Sequence, residues 1–379
     1  MTDRDANPSS THPPLPPTSE DDQFHRLRLL RSRRVGISTY KRLLIEHGNA
    51  QNALAALPEV ARAAGVQGYE ICPEGVVVAE MKAGRASGAR LIDQHSPNYP
   101  SALRDLSDAP PFLWCIGDSS YFSRPMIALV GARNASSLGT RMARALAKEL
   151  GDAGHIIVSG LARGIDAAAH LAALETGTIA VQGGGVDVMY PAENTDLAKQ
   201  IAQKGLRISE QPMGLQPQAR HFPARNRIIS GLSQATVVVE AATKSGSLIT
   251  ARDALDLGRE VLAVPGHPFD ARASGCNLLI RDGATLVRSA EDVLEVLRPI
   301  APDHQQDELP LDKPTQSAPE DTIALHNEIL TRLGPSPLAE DQLIRDLNAP
   351  ASAVTPALVE LELDGRINRP AGGLVCLAC

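Results

Sequence analysis

The sequence predicts a doubly wound parallel α/β sheet across its middle, a small helical module before it and a winged helix-turn-helix after it. Three observations predict this. Short, nearly all-apolar runs recur between residues 126 and 290. Helical stretches alternate with them, as strands buried on both faces by helices require. Several of the runs end in glycine-rich turns that carry a cation, at the edge where open parallel sheets hold ligands.

The chain has 379 residues, long enough for two or three domains. Its formal net charge of −7 is unevenly spread. Residues 1–125 hold 14 basic and 14 acidic side chains, residues 126–290 hold 17 and 14, and residues 291–379 hold 6 and 16. The acidic surplus therefore sits in the last part, and the mildly basic middle permits an anionic ligand without demanding one. No apolar run approaches the roughly 18 residues of a membrane helix. The start lacks the pattern of a secretory signal, so cytoplasmic residence is expected. Five scattered cysteines (Cys72, Cys115, Cys276, Cys376, Cys379) are expected to be reduced. Cys376 and Cys379 make a lone C-x-x-C, half of a tetrahedral zinc site, so no metal or cofactor is expected.

Residues 1–22, rich in Pro, Ser and Thr with little to bury, are expected to be a disordered tail. Residues 23–90 are expected to hold the helical module, with Leu27, Leu30, Val35, Leu43, Leu44, Leu54 and Leu57 at helical intervals up to Ala64. Its cluster Arg26, Arg28, Arg31, Arg33 and Arg34 is either a solvated helix face or a phosphate contact. Residues 65–125 read as irregular, apart from a strand over Phe112–Ile116. The sheet domain is expected over 91–299. Its strands are Ile127–Val130, Ile156–Ser159, Thr178–Val181, Thr236–Val239 and Val261–Val264, and helices are expected at Arg141–Leu150, Ala167–Leu174 and Thr250–Leu257. Residues 300–322 read as a linker. Residues 323–379 read as three helices, Ile323–Leu333, Ala339–Leu347 and Ala353–Leu363, and a hairpin around Ala371-Gly-Gly373.

Five strand ends carry the chemistry. They are Gly131-Ala-Arg133, Ser159-Gly-Leu-Ala-Arg163, Gln182-Gly-Gly-Gly185, Glu240-Ala-Ala-Thr-Lys244-Ser-Gly-Ser247 and Pro265-Gly-His-Pro268. Glycine admits close backbone approach, and free N–H groups at helix starts favour an anion. Arg133, Arg163 and Lys244 add mobile cations. Residues 211–250 are the most basic stretch, with Arg220, Arg225, Arg227 and Lys244 against Glu240. Phe222 either stacks on a base or packs beneath its loop. His170 reads as structural, His267 as a site or loop-packing residue, and Asp166 and Asp187 as structural carboxylates.

Absent motifs narrow the ligand. There is no Walker-type loop, and Arg133 stands where a dinucleotide loop needs its second glycine. That side chain blocks a pyrophosphate but suits a single phosphodiester. The rival is a nucleotide-processing enzyme of phosphoribohydrolase type. Such enzymes carry Pro-Gly-Gly-x-Gly-Thr-x-x-Glu, whereas here Lys244-Ser-Gly-Ser-Leu-Ile-Thr250 lacks the glutamate.

The blocks Ile127–Arg133, Ser159–His170, Gly183–Asn194, Phe222–Leu232, Lys244–Ala251 and Gly275–Ala284 resemble the DNA-processing protein A family (DprA/Smf). The resemblance implies an extended Rossmann-like fold, flanked by a SAM-like or helix-hairpin-helix module and a winged helix. It implies single-stranded DNA as ligand, no catalysis and a homodimer. It also implies loading of RecA recombinase onto incoming strands during natural transformation, and displacement of single-strand-binding protein. Gly131, Arg133 and Lys244 match the family's DNA-contacting pattern. With the residue-level reading, the expected single-stranded DNA site comprises Gly131, Arg133, Arg163, Phe222, Arg225, Asn226, Arg227, Lys244, Ser245 and Gly246. The winged helix is an unpromising DNA reader: residues 322–379 hold four basic and seven acidic side chains, and its expected recognition helix carries Glu360 and Glu362. A protein-contact or regulatory role is expected for it.

Overall fold

In the computed structural model, residues 19–104, 106–298 and 319–378 are described. They fall into two units, Met1–Pro299 and Ile300–Cys379. The first begins with helices α1 (Ser19–Arg31), α2 (Ile37–His47), α3 (Ala50–Ala63) and α4 (Glu74–Ala86). Strand β1 (Arg90–Asp93), the short α5 (Ser101–Arg104) and β2 (Phe112–Gly117) follow. Then come β3 (Met126–Val130), α6 (Ser137–Asp152), β4 (Ile156–Ser159), α7 (Ile165–Ala172), β5 (Thr178–Val181), α8 (Thr195–Lys204) and β6 (Leu206–Ser209). The unit closes with α9 (His221–Leu232), β7 (Ala235–Val238), α10 (Ser247–Asp256), β8 (Glu260–Ala263), α11 (Ser274–Arg281), β9 (Thr285–Leu286) and α12 (Ala290–Leu297).

The strands form one sheet in the order β1-β2-β6-β5-β4-β3-β7-β8-β9. From β6 to β9 every pairing is parallel, while β1–β2 and β2–β6 are antiparallel. The pleat divides the apolar runs between two layers. Met126, Ala128 and Val130 of β3 join the layer containing Ile228, Ile229, Ala251, Ala254 and Cys276, from α9, α10 and α11. Ile127 and Leu129 join the other, with Ala143, Leu146, Ala169 and Val293 from α6, α7 and α12. That two-sided burial is why the strands read as continuous apolar runs. His170 is fully buried, its Nδ1 lies 2.7 Å from Thr178 Oγ1 while its Nε2 has no partner among the described residues, and burial pulls its pKa down to about 3.

The second unit contains α13 (Pro319–Arg332), β10 (Leu338–Ala339), α14 (Glu340–Leu347), α15 (Ala351–Leu363), β11 (Ile367–Asn368) and β12 (Leu374–Leu377). Ile329, Leu343, Val354, Leu358, Leu361 and Val375 form its core, and the strands pair in the order β10-β12-β11, giving a winged helix.

Several expectations need correction. The tail expected to 22 and the linker expected over 300–322 lie mostly outside the described residues. Their inner edges, 19–22 and 319–322, are helical. At the first, Glu20, Asp21 and Asp22 fall in the opening turn of α1, where acidic groups complement the helix dipole. Residues 65–125 are not irregular, since α4, β1 and α5 lie there. The valine run and Gly75 and Gly84 hide α4 from a propensity reading. Gly84 is there for tertiary reasons: a Cβ on it would lie 2.3 Å from the Trp114 ring. Strand β6 was also unforeseen, because Arg207 interrupts its apolar run; the side chain is buried, with Nη1 3.2 Å from Met189 Sδ.

The helical module is pinned to the sheet by one buried carboxylate. Glu80 on α4 accepts from Arg31 Nε and Nη2 at 2.9 and 2.8 Å, and from Trp114 Nε1 at 2.8 Å. Arg26 pairs with Asp22 and Arg28 with Glu74. So three of the five clustered arginines are structural, and Arg33 and Arg34 are exposed. Glu80→Ala strands the guanidinium and the indole N–H together. It should cost about 3 kcal/mol of stability in denaturant unfolding, whereas Glu74→Ala, whose side chain is exposed, should cost well under 1 kcal/mol.

Candidate nucleic-acid interface

The strand order reverses between β3 and β7. The chain leaves β3 for α6 on one layer and β7 for α10 on the other, so a crevice opens between the two connecting loops. A cavity of about 480 Å³ fills it. It is lined by Gly131, Arg133, Phe222, Arg225, Asn226, Lys244, Ser245 and Gly246. A second cavity of about 390 Å³ lies beyond β4 and β5 and is lined by Arg133, Arg163, Gln182, Tyr190, Phe222 and Arg225. Arg133, Phe222 and Arg225 border both. Nine of the ten expected site residues are thus brought together. Arg227 is not: it bonds Glu210 Oε2 at 2.5 Å and pairs with Asp108 at 3.2 Å, away from both cavities.

The floor is a buried arginine. Arg225 is 5% exposed and donates from Nη1 to Val181 O at 2.6 Å, at the end of β5. Room for it comes from Gly160, where a Cβ would sit 2.1 Å from Nη1. Asp166, at the start of α7, accepts from the backbone N–H of Gly160 and Ala162 at 3.1 and 3.3 Å. Burial raises its pKa, against the pull of Arg225 and these bonds. Burial lowers Arg225 to about 10, with Asp166 opposing, so Arg225 stays cationic at neutral pH. It is therefore a fixed charge under the crevice, unlike the exposed cations Arg133, Arg163 and Lys244.

The mobile charges stand above it. Arg133 and Lys244 are exposed. Arg163 is also exposed, with Glu193 at 3.5 Å, a pairing worth little in water. Phe222 is half-buried, and a Cβ on Gly183 would lie 3.1 Å from its ring. Its ring faces Tyr190 at 5.7 Å and carries the Arg133 guanidinium 5.1 Å above its centre. Tyr190 was missed from the sequence; a tyrosine amid the Gly183–Asn194 turn was the available signal.

The strand-end glycines serve different purposes. Gly131 lets β3 pack against α7, since a Cβ there would lie 2.6 Å from the Ile165 side chain. Gly184 and Gly185 make room for backbone oxygens of Leu215 and Pro212. Gly246 alone of these borders open space, so its backbone is accessible. The anion site expected at the start of α6 is already filled. Glu240 accepts from Ser136 N–H at 3.1 and 3.2 Å and from Ser136 Oγ at 2.6 Å, while Ser136 Oγ caps Gly139 N–H at 2.9 Å. The start of α10 has no acidic residue in its first turn; Ser245 Oγ accepts from Ser247 N–H at 3.4 Å, and the Leu248 and Ile249 N–H groups bond Ser245 O and Gly246 O, both at 3.1 Å. Asp187 is structural, accepting from Gly214 N–H at 2.9 and 3.1 Å.

A family model described as DNA recombination-mediator protein A matches residues 90–298, across this crevice. The chain belongs to that family. Models of a DprA-like N-terminal HHH domain and a DprA winged helix domain match residues 20–83 and 313–373. DNA processing protein DprA of Bacillus subtilis is 44% identical over 220 residues, covering 57% of this chain and 74% of the relative. Protein Smf of Escherichia coli is 38% identical over 296 residues, covering 76% and 77%. The crystal structure of DprA from Streptococcus pneumoniae superposes with a TM-score of 0.61 at 35% identity, covering 72% of this chain and 96% of that one. A DprA structure from Helicobacter pylori, described for its single-stranded DNA binding mode, has a TM-score of 0.51 at 31% identity, covering 54% and 98%.

Coupling across the crevice floor is directly measurable in this DprA-family chain. Gly160→Ala should cost about 2 kcal/mol by pushing the Arg225 guanidinium from its slot. Combined with Arg225→Ala the clash disappears, so the double variant should be destabilised by less than the sum of the singles. Strict additivity in denaturant unfolding would contradict the packing.

Proposed function

We propose that this chain binds single-stranded DNA in the crevice, protects incoming strands and loads RecA recombinase onto them during natural transformation. It acts in the cytoplasm as a homodimer, displaces single-strand-binding protein and catalyses no reaction. One observation carries the DNA reading: an aromatic pair, Phe222 and Tyr190, borders a cavity whose rim carries the exposed cations Arg133 and Arg163, with Lys244 on the adjoining groove. An unstacked base reaches such rings; a base inside a duplex does not. Arg133 and Lys244 hold flanking phosphates, with Arg163 at the far rim. The turn before α10 offers the Gly246 N–H, the Ser245 N–H being bonded to Ala242 O at 2.9 Å, and Arg225 lies beneath as a fixed cation. Asn226 contributes less directly, with Nδ2 3.4 Å from Gly246 O, holding that turn in place. Arg227 is reassigned to structure.

The ligand named for the Helicobacter pylori relative supports this reading, as does the engagement of Asp166, Asp187 and Glu240 in backbone bonds, which suits a scaffold better than general acid–base work. The winged helix is assigned to protein contact or regulation. Its α15 exposes Glu360, Glu362 and the apolar Val359 and Leu363, a surface that repels a phosphate backbone.

Arg133→Ala and Lys244→Ala should each weaken binding to an oligonucleotide about tenfold while leaving thermal stability unchanged. Each should also reduce the steepness of log affinity against log salt by about 0.7, one phosphate's share. Unchanged anisotropy titrations for both variants would sink the assignment. Ending the chain near residue 301 should leave single-strand affinity intact, and a large loss would make the winged helix part of the DNA site.

A further inference from the structure

A third cavity, of about 550 Å³, lies between the first turns of α6 and the loop following β8. Its size falls within the roughly 300–1,000 Å³ of small-ligand sites. Its wall is largely apolar, with Leu138, Met142, Val239 and Val264. Leu138 on α6 is 68% exposed, and Phe269, on the loop following β8, is 95% exposed. An aromatic ring left so open is unusual in a chain with 3% aromatic residues.

The cavity is joined to the crevice by one side chain. Arg272 lines the crevice, yet its carboxylate partners Asp270 and Glu240 line the third cavity, at 3.1 and 3.7 Å. The loop is tied to the Lys244 turn by Gly275 N–H to Ala241 O at 2.8 Å and Thr243 N–H to Ser274 Oγ at 3.2 Å. It is also preformed. Phe269 N–H donates to His267 Nδ1 at 3.3 Å, Asp270 N–H donates to His267 O at 2.9 Å, and the two rings lie 5.5 Å apart.

Charge selects the occupant. Asp270 is matched by Arg272, and Glu240 by Arg272 and the first turn of α6. Arg141, exposed on the cavity wall, has no ion-pair partner among the described residues. Arg272 serves both carboxylates, so two acids and two cations balance and Arg141 is the one of the four left to pair with an external phosphate; with the Phe269 ring open on the bordering loop, cation and bare ring are the groups that single strands use.

We propose that the polynucleotide track continues past Arg272 into this cavity, where Phe269 stacks on a base and Arg141 contacts a phosphate. This extension rests on the crevice being the single-stranded DNA site. The test is fluorescence anisotropy with oligothymidylates of about six and about twelve nucleotides, using the full chain, Phe269→Ala, Arg141→Ala, Phe269→Trp and Arg133→Ala. Phe269→Ala and Arg141→Ala should bind the shorter strand like the parent and the longer one about five- to tenfold more weakly. Phe269→Trp, which keeps a stacking face, should restore the longer strand. A 2-aminopurine at the strand terminus that reaches Phe269 should be quenched by the parent and not by Phe269→Ala. Parental affinity of Phe269→Ala and Arg141→Ala at both lengths overturns the extension and leaves the face to protein docking. Equal weakening at both lengths also overturns it, by placing these residues within the primary site. If the parent binds neither strand, or Arg133→Ala binds both normally, the crevice reading itself fails and the extension falls with it.

Discussion

Arg225 lies beneath the end of β5, in the slot that Gly160 leaves open, and much of the crevice is arranged around it. A guanidinium that is 5% exposed needs hydrogen bonds and a countercharge. The first is Val181 O, and the second is Asp166, which interacts with it electrostatically. Asp166 in turn holds the Gly160–Ala162 turn, and α9, which carries Arg225, presents Phe222 to both cavities. The buried charge therefore joins two strand ends, those of β4 and β5, to the start of α9. It also places a guanidinium paired with Asp166 beneath the crevice, less screened by solvent than Arg133 or Lys244.

Glu240 performs the complementary task. In a dinucleotide-binding sheet the first helix start receives a pyrophosphate. Here the Glu240 carboxylate, from the loop after β7, occupies the start of α6, and Gly139 is required because a Cβ there would lie 2.1 Å from Glu240 Oε2. In the proposed reading, anion binding is displaced from the first helix to the rim cations Arg133, Arg163 and Lys244. Such a rim suits a ligand with many separate phosphates better than one with a single pyrophosphate.

Much was legible because its signal is local. Strands β4 and β5 fall on their expected residues, since burial on both faces leaves an apolar run that needs no context. Lys244, Ser245 and Gly246 were legible as a glycine turn opening a helix. Helix α4 was hidden because Gly84 answers to Trp114, thirty residues on. Strand β6 was hidden because a buried Arg207 interrupts it. Arg225 and Arg227 looked alike as neighbours in a basic stretch; they are two residues apart on α9, and their partners come from β5 for one and from Glu210 and Asp108 for the other.

By itself the sequence determined the α/β class, the winged-helix ending, the family and the set of cations and glycines at the strand ends, because periodicity, turn chemistry and ordered motifs are properties of neighbours along the chain. Only the tertiary structure decided which of those cations are mobile and which are fixed, that Tyr190 joins Phe222, and that Glu240 closes the first helix start. Each of these depends on a partner brought from a distant strand or helix, and burial and charge compensation are settled by such partners alone.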